Sequence, residues 1–115
     1  MRTWCVCALL GTSAALGFTP TEDGLYAVFD VTLGETGERE QFVAELFFEE
    51  APLTVANFVA LAEGSQPWLD TTEGAPQLRE GVPLFDGLRV PRVSAGFVIQ
   101  AGSPTNTTAG GPGYQ

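Results

Sequence analysis

All five basic residues of this 115-residue chain are arginines, at positions Arg2, Arg39, Arg79, Arg89 and Arg92, and there is neither lysine nor histidine. The commonest general base and the commonest zinc ligand are therefore missing. Two cysteines, Cys5 and Cys7, are too few for a Cys-rich metal site. The run Gly110-Gly111-Pro112-Gly113 lacks the lysine and following helix that a phosphate cradle needs. Asn106-Thr107-Thr108 matches a glycosylation tripeptide, a pattern common by chance. What residue type leaves for chemistry is the arginines, whose permanently charged forks of donors can be held in a fixed geometry. On residue type alone, Arg92 reads as a surface strand arginine, Phe97 as core and Gln100 as an edge polar residue.

Charge narrows the partners. Fourteen acids against five bases give a net charge of −9. Nucleic acid and anionic membrane surfaces are unsuitable partners, because phosphate contacts need clustered cations. With 44% hydrophobic and 17% charged residues, the chain can bury the core of one small domain.

The first eighteen residues stand apart. Met1 to Thr3 carry one arginine and the terminal amine, an apolar run follows from Trp4, and Ala14-Ala15-Leu16-Gly17 ends it with small residues. This is the layout of an export leader, so residues 1–18 are expected to be a signal peptide or an uncleaved N-terminal anchor, and the protein periplasmic or secreted. Any membrane contact would be through that segment. Cleavage near Gly17 would remove both cysteines and leave no disulfide, so Cys5 and Cys7 read as passengers of the leader.

The elements of the domain itself occupy residues 19–115. Leu25–Thr32 is aromatic and β-branched and is expected to be a strand. Gly34–Gly37 is a turn, and Gln41–Phe48 pairs back as the second arm of an antiparallel hairpin, with Phe42, Ala44 and Leu46 on one face. The period then changes. Pro52 suits a first helical turn, Val55, Phe58, Val59 and Ala62 recur at helical spacing, and Gly64 is placed as a stop, so a helix spans about Leu53–Glu63. Ser65–Pro83 is expected to be one long displayed loop. Leu88–Val93 and Phe97–Ala101 read as strands around a tight turn at Ser94–Gly96, and from Gly102 onward the chain is a Gly-rich loop. Four strands and one helix leave open sheet edges, and the sequence reads as cut short inside that loop.

Three stretches, in order, resemble the cyclophilin family of peptidyl-prolyl isomerases. They are Phe47 to Gly64, with Pro-x-Thr and Asn-Phe; Phe85-Asp86-Gly87-Leu88-Arg89-Val90-Pro91-Arg92-Val93; and Gly96-Phe97-Val98-Ile99-Gln100-Ala101-Gly102-Ser103 followed by Ala109 to Tyr114. They correspond to roughly the N-terminal half of the family's domain. The resemblance implies a mainly β fold, part of an antiparallel β-barrel with one capping α-helix. It also implies isomerisation of X-Pro bonds in proline-containing polypeptides, assisting protein folding, with no cofactor and no metal. Arg92 matches the family's catalytic arginine, Phe97 the floor of the proline pocket, Val98 an apolar neighbour, and Gln100 a side chain that bonds substrate backbone and orients the arginine. The alternative is an inactive, truncated cyclophilin fragment that at most binds proline peptides. Three departures stand out: Val90-Pro91 replaces the usual Phe-His before the arginine, and Ala101 and Ser103 replace Gly and Asp.

Overall fold

The computed structural model describes residues 2–10, 22–34 and 36–113. It is mainly strands with one helix. Strands β1 (Arg2–Leu10), β2 (Leu25–Leu33) and β3 (Glu38–Glu45) form an antiparallel sheet with β2 in the middle. The helix α1 (Pro52–Glu63) follows. Then come two short hairpins, β4 (Trp68–Asp70) with β5 (Gln77–Arg79), and β6 (Arg92–Ser94) with β7 (Val98–Gln100). The three sheets are separate, and no closed barrel forms among the described residues. Of the segment read as a leader, Arg2–Leu10 is β1, running from Leu10 opposite Leu25 to Cys5 opposite Asp30, while residues 1 and 11–18 lie outside the described residues.

The β2–β3 hairpin forms where the pattern predicts it, with Leu33 opposite Glu38 and Tyr26 opposite Glu45. The second arm ends at Glu45 rather than Phe48, because Phe47 and Phe48 swing out to solvent as the chain enters the helix. Side chains alternate across a strand, so Ala27, Phe29 and Val31 share the face turned toward α1 and the later loops. On the other face Val28 is 2% exposed. Burial on both sides explains why the central strand reads as a nearly continuous apolar run.

Helix α1 starts on Pro52, whose missing N–H would be unpaired there in any case, and ends on left-handed Gly64. It meets the sheet where both partners are small, Ala62 against Ala27. Around this contact runs a row of rings. Phe42 stacks on Phe29 at 4.5 Å between centroids, Phe29 meets Phe58 at 6.3 Å, and Phe58 meets Phe85 at 5.1 Å. Phe85 packs against all three buried clusters: Val31–Leu88–Val90, Ala27–Ala62, and Leu61–Trp68–Leu84. It is the joint between helix, sheet and the segment that delivers Arg92.

The stretch expected to be a long loop, Ser65–Pro83, contains the β4–β5 hairpin. Three-residue strands carry no readable alternation, and this pair is held by side chains that only folding brings together. Asp70 accepts from Thr72 N and Oγ1 at 3.0 and 2.5 Å, and from Arg79 Nε and Nη2 at 3.0 and 2.7 Å. Trp68 Nε1 donates to the Val82 carbonyl at 2.8 Å. The Thr72 and Arg79 bonds hold the Asp70 carboxyl at about 2, from an ordinary 3.8. A lowered carboxylate pKa stabilises the fold above the unfolded value and loses that contribution as pH falls through the folded one. The clamp should therefore be intact at pH 5 and open as pH approaches 2. A carbon NMR titration of the Asp70 carboxyl should show a midpoint near the lower value; a midpoint at the ordinary value would mean the clamp does not form in solution.

Candidate active site

After the β4–β5 hairpin the chain returns to the helix, where Leu84 N donates to Leu61 O at 2.9 Å. Leu88 and Val90 are buried against the β2 face while Arg89 between them and Pro91 after them are exposed. This inward-outward alternation makes an extended segment without a ladder. The sequence expected a strand over Leu88–Val93; the ladder begins only at Arg92. Pro91 has no N–H to give and stands just outside it.

In the β6–β7 hairpin Arg92 faces Gln100, Val93 faces Ile99 and Ser94 faces Val98, and Phe97 N closes the turn onto Ser94 O at 3.1 Å. The turn is one residue later than the sequence suggested, which places Phe97 in the turn rather than in the strand. Directly paired residues share a face, so Arg92, Ser94, Val98 and Gln100 lie on one side and Val93 and Ile99 on the other.

On the first side Arg92 Nη1 donates to Gln100 Oε1 at 3.3 Å, and the Arg92 guanidinium carbon lies 5.7 Å from the centre of the Phe97 ring. That distance is within cation–π range. Among the described residues Arg92 has no carboxylate partner, the one ion pair being Asp70–Arg79. Gln100 Nε2 in turn donates to the Thr108 carbonyl at 3.1 Å. The amide is thereby oriented: a flip would set NH₂ against the guanidinium and carbonyl against carbonyl. Phe97 is 77% exposed, a ring presented to solvent instead of the core residue its type alone suggested. Val98 is half-buried on the same hairpin face.

The other side of the hairpin is more than half exposed and borders an open apolar cleft. Ile99 lines a cleft of about 230 Å³ with Phe29, Phe42, Phe58, Phe85 and Leu88. A second groove, of about 400 Å³, runs between α1 and the Gly-rich loop and has Gln100, Asn57, Thr108 and Pro112 among its walls. Gln100 thus stands between the arginine and this groove.

The structure brings Gln100 and Phe97 each to Arg92 and keeps Val98 on the same hairpin face. Sequence reasoning missed the support from the Gly-rich loop. Asn106 is the one non-glycine described with a positive φ, and its Oδ1 accepts from Arg89 N at 2.5 Å. Leu69 N donates to Pro112 O at 2.8 Å, tying the β4–β5 hairpin to the same loop. The asparagine was the available signal, since Asn tolerates the left-handed region better than other residues.

Residues 28–115 match the sequence profile of the cyclophilin type peptidyl-prolyl cis-trans isomerases. The chain belongs to the cyclophilin family. Among curated relatives it is 49% identical over 70 residues to peptidyl-prolyl cis-trans isomerase A of Mycobacterium tuberculosis, covering 61% of this chain and 37% of that protein. It is 37% identical over 91 residues to peptidyl-prolyl cis-trans isomerase B of Streptomyces anulatus, covering 79% of this chain and 47% of the relative. It is 42% identical over 80 residues to peptidyl-prolyl cis-trans isomerase B of Bacillus subtilis, covering 70% and 42%. The matched stretch thus spans less than half the length of these cyclophilins. No solved structure matches the chain significantly. The matched region contains the whole β6–β7 hairpin with Arg92, Phe97 and Gln100.

Proposed function

We propose that this chain carries the arginine wall of a peptidyl-prolyl cis-trans isomerase site, acting without a cofactor on X-Pro bonds of exported proteins and so assisting their folding. Its strands and helix are read as part of an antiparallel barrel of the cyclophilin type. The observation that carries the proposal is the placement of Arg92 between the Gln100 amide and the Phe97 ring.

The chemistry needs little more. The barrier to rotation about the peptide C–N bond is about 18–20 kcal/mol because the nitrogen lone pair is delocalised into the carbonyl. A donor aimed at the prolyl nitrogen draws that lone pair out of resonance and stabilises the twisted state. Arg92 is held by one N–H on Gln100, and its other donors are left to meet that nitrogen. Phe97 offers an apolar face for the proline ring, with Val98 beside it, and Gln100 can also bond substrate backbone. No proton changes owner, so a chain without histidine is equipped for the reaction.

The exposure of Phe97 supports a second reading, a module that binds proline peptides without turning them over. Exchange NMR on a proline tetrapeptide with resolved cis and trans signals separates the two. Accelerated exchange supports the isomerase. Shift changes in the peptide without acceleration support the binding module, and neither effect overturns both.

Export is part of the proposal and rests on the apolar run of residues 4–17. N-terminal sequencing of the mature protein should begin between about Gly17 and Asp23. A soluble cytoplasmic product that still starts at Met1 would overturn it.

A further inference from the structure

We infer that Ser103 is a positioning residue for Arg92, acting through the Gly-rich loop and the Gln100 amide. The inference rests on the isomerase reading for its kinetic consequence only.

Ser103 is the one buried polar side chain among the described residues, at 7% exposure. It stands where the family pattern has an aspartate, and what it touches explains why a hydroxyl serves here. Its Oγ lies 2.8 Å from the Ala109 carbonyl and 2.7 Å from Thr105 Oγ1. Thr107 Oγ1 lies 2.7 Å from the same carbonyl, and Thr105 Oγ1 lies 3.2 Å from it and 2.9 Å from Thr107 Oγ1. A carbonyl oxygen has two lone pairs and each hydroxyl one hydrogen. The two short contacts assign those lone pairs to Ser103 and Thr107, and leave Thr105 to give its hydrogen to a neighbouring hydroxyl. A carboxylate at position 103 would have no hydrogen for Ala109. The room is shaped for the hydroxyl as well: a Cβ on Gly110 would lie 2.9 Å from Ser103 Oγ.

Ala109 is held on its other side too, its N–H donating to Thr107 Oγ1 at 3.3 Å. That N–H and the Thr108 carbonyl belong to one planar peptide unit. The Ser103 and Thr107 hydroxyls hold the peptide after Ala109, and the Thr107 oxygen holds the one before it. With both its peptides fixed, Ala109 sets the Thr108 oxygen, the acceptor that orients the Gln100 amide, whose oxygen in turn holds Arg92. Apart from the Ala109 backbone itself, every link is a hydrogen bond between named atoms, and the chain begins at a buried group that water does not readily replace.

The test uses Ser103→Ala and the exposed Thr107→Val, each of which removes one donor to Ala109, with Thr36→Val in the β2–β3 turn, where its hydroxyl bonds only Leu33 and Glu38, as control. The readout is the Arg92 Nε–H signal in nitrogen NMR, assigned by its loss in Arg92→Ala. In both loop variants this signal should shift and its heteronuclear NOE should fall, with the control unchanged. In an active protein kcat should drop about tenfold with KM little altered, because displacement of a catalytic group affects the transition state more than binding. An Arg92 signal that keeps its wild-type shift and NOE in Thr107→Val overturns the inference, as does a lowered melting temperature in Ser103→Ala with that signal unmoved. A displaced Arg92 signal in a protein whose wild type shows no turnover upholds the positioning role and removes the isomerase reading instead.

Discussion

Arg92→Ala should lower kcat for a proline peptide by roughly a hundredfold to a thousandfold, the usual effect of removing one preorganised donor worth about 2.7–4 kcal/mol in the transition state. The melting temperature should hardly change. Arg92 is exposed, and its contacts are one 3.3 Å hydrogen bond and the face of an exposed ring. Arg92→Lys keeps the charge but loses the planar fork, so it should recover only part of the rate. Phe97→Ala should act differently, weakening peptide binding with a smaller change in kcat, since it removes the apolar face and leaves the donor in place. Full activity in Arg92→Ala would show that another group does the work.

The largest effect on stability is expected at Gly64. This residue caps α1 at φ 79°, and a Cβ there would lie 2.7 Å from both the Val82 carbonyl carbon and the Pro83 nitrogen. Both are backbone atoms of the return segment that carries buried Leu84 onto the helix, so they cannot move aside cheaply. Gly64→Ala combines a left-handed alanine, about 1–2 kcal/mol, with overpacking of about 1–3 kcal/mol. The sum corresponds to a fall in melting temperature on the order of 10–30 °C. Gly81 is the control. Its φ is 67°, but a Cβ there meets nothing within 4 Å, so Gly81→Ala should show the backbone strain alone. Equal losses at the two positions would mean that the close approach at Gly64 is not what matters.

The sequence by itself determined the local parts. Pro52 and Gly64 bracket the helix because one lacks an N–H where none is needed and the other takes a left-handed turn. The aromatic and β-branched run of residues 25–32, the alternation from Gln41 onward and the Gly34–Gly37 turn determined the first hairpin and its face. The absence of histidine and lysine removed whole classes of chemistry, and the motifs around Phe85, Arg92 and Gln100 carried the family. These signals are periods, caps and residue types, and each is complete within a few neighbouring positions.

Tertiary structure decided everything that depends on residues far apart in the chain. Three-residue strands are too short to show a period, so β4 and β5 were invisible until Asp70 met Arg79 and Trp68 met the Val82 carbonyl. Phe85 looked like one apolar residue among many; folding made it the joint of three clusters. A Gly-rich segment reads as unable to pack a core, and it packs none. Its order comes from hydroxyls on one carbonyl and from single backbone bonds to Leu69 and Arg89, polar contacts that leave no hydrophobic pattern. That order reaches the site: residue types named Arg92 and Gln100, but which end of the Gln100 amide faces the guanidinium was settled by the Thr108 carbonyl, eight positions further on and brought near only by the fold.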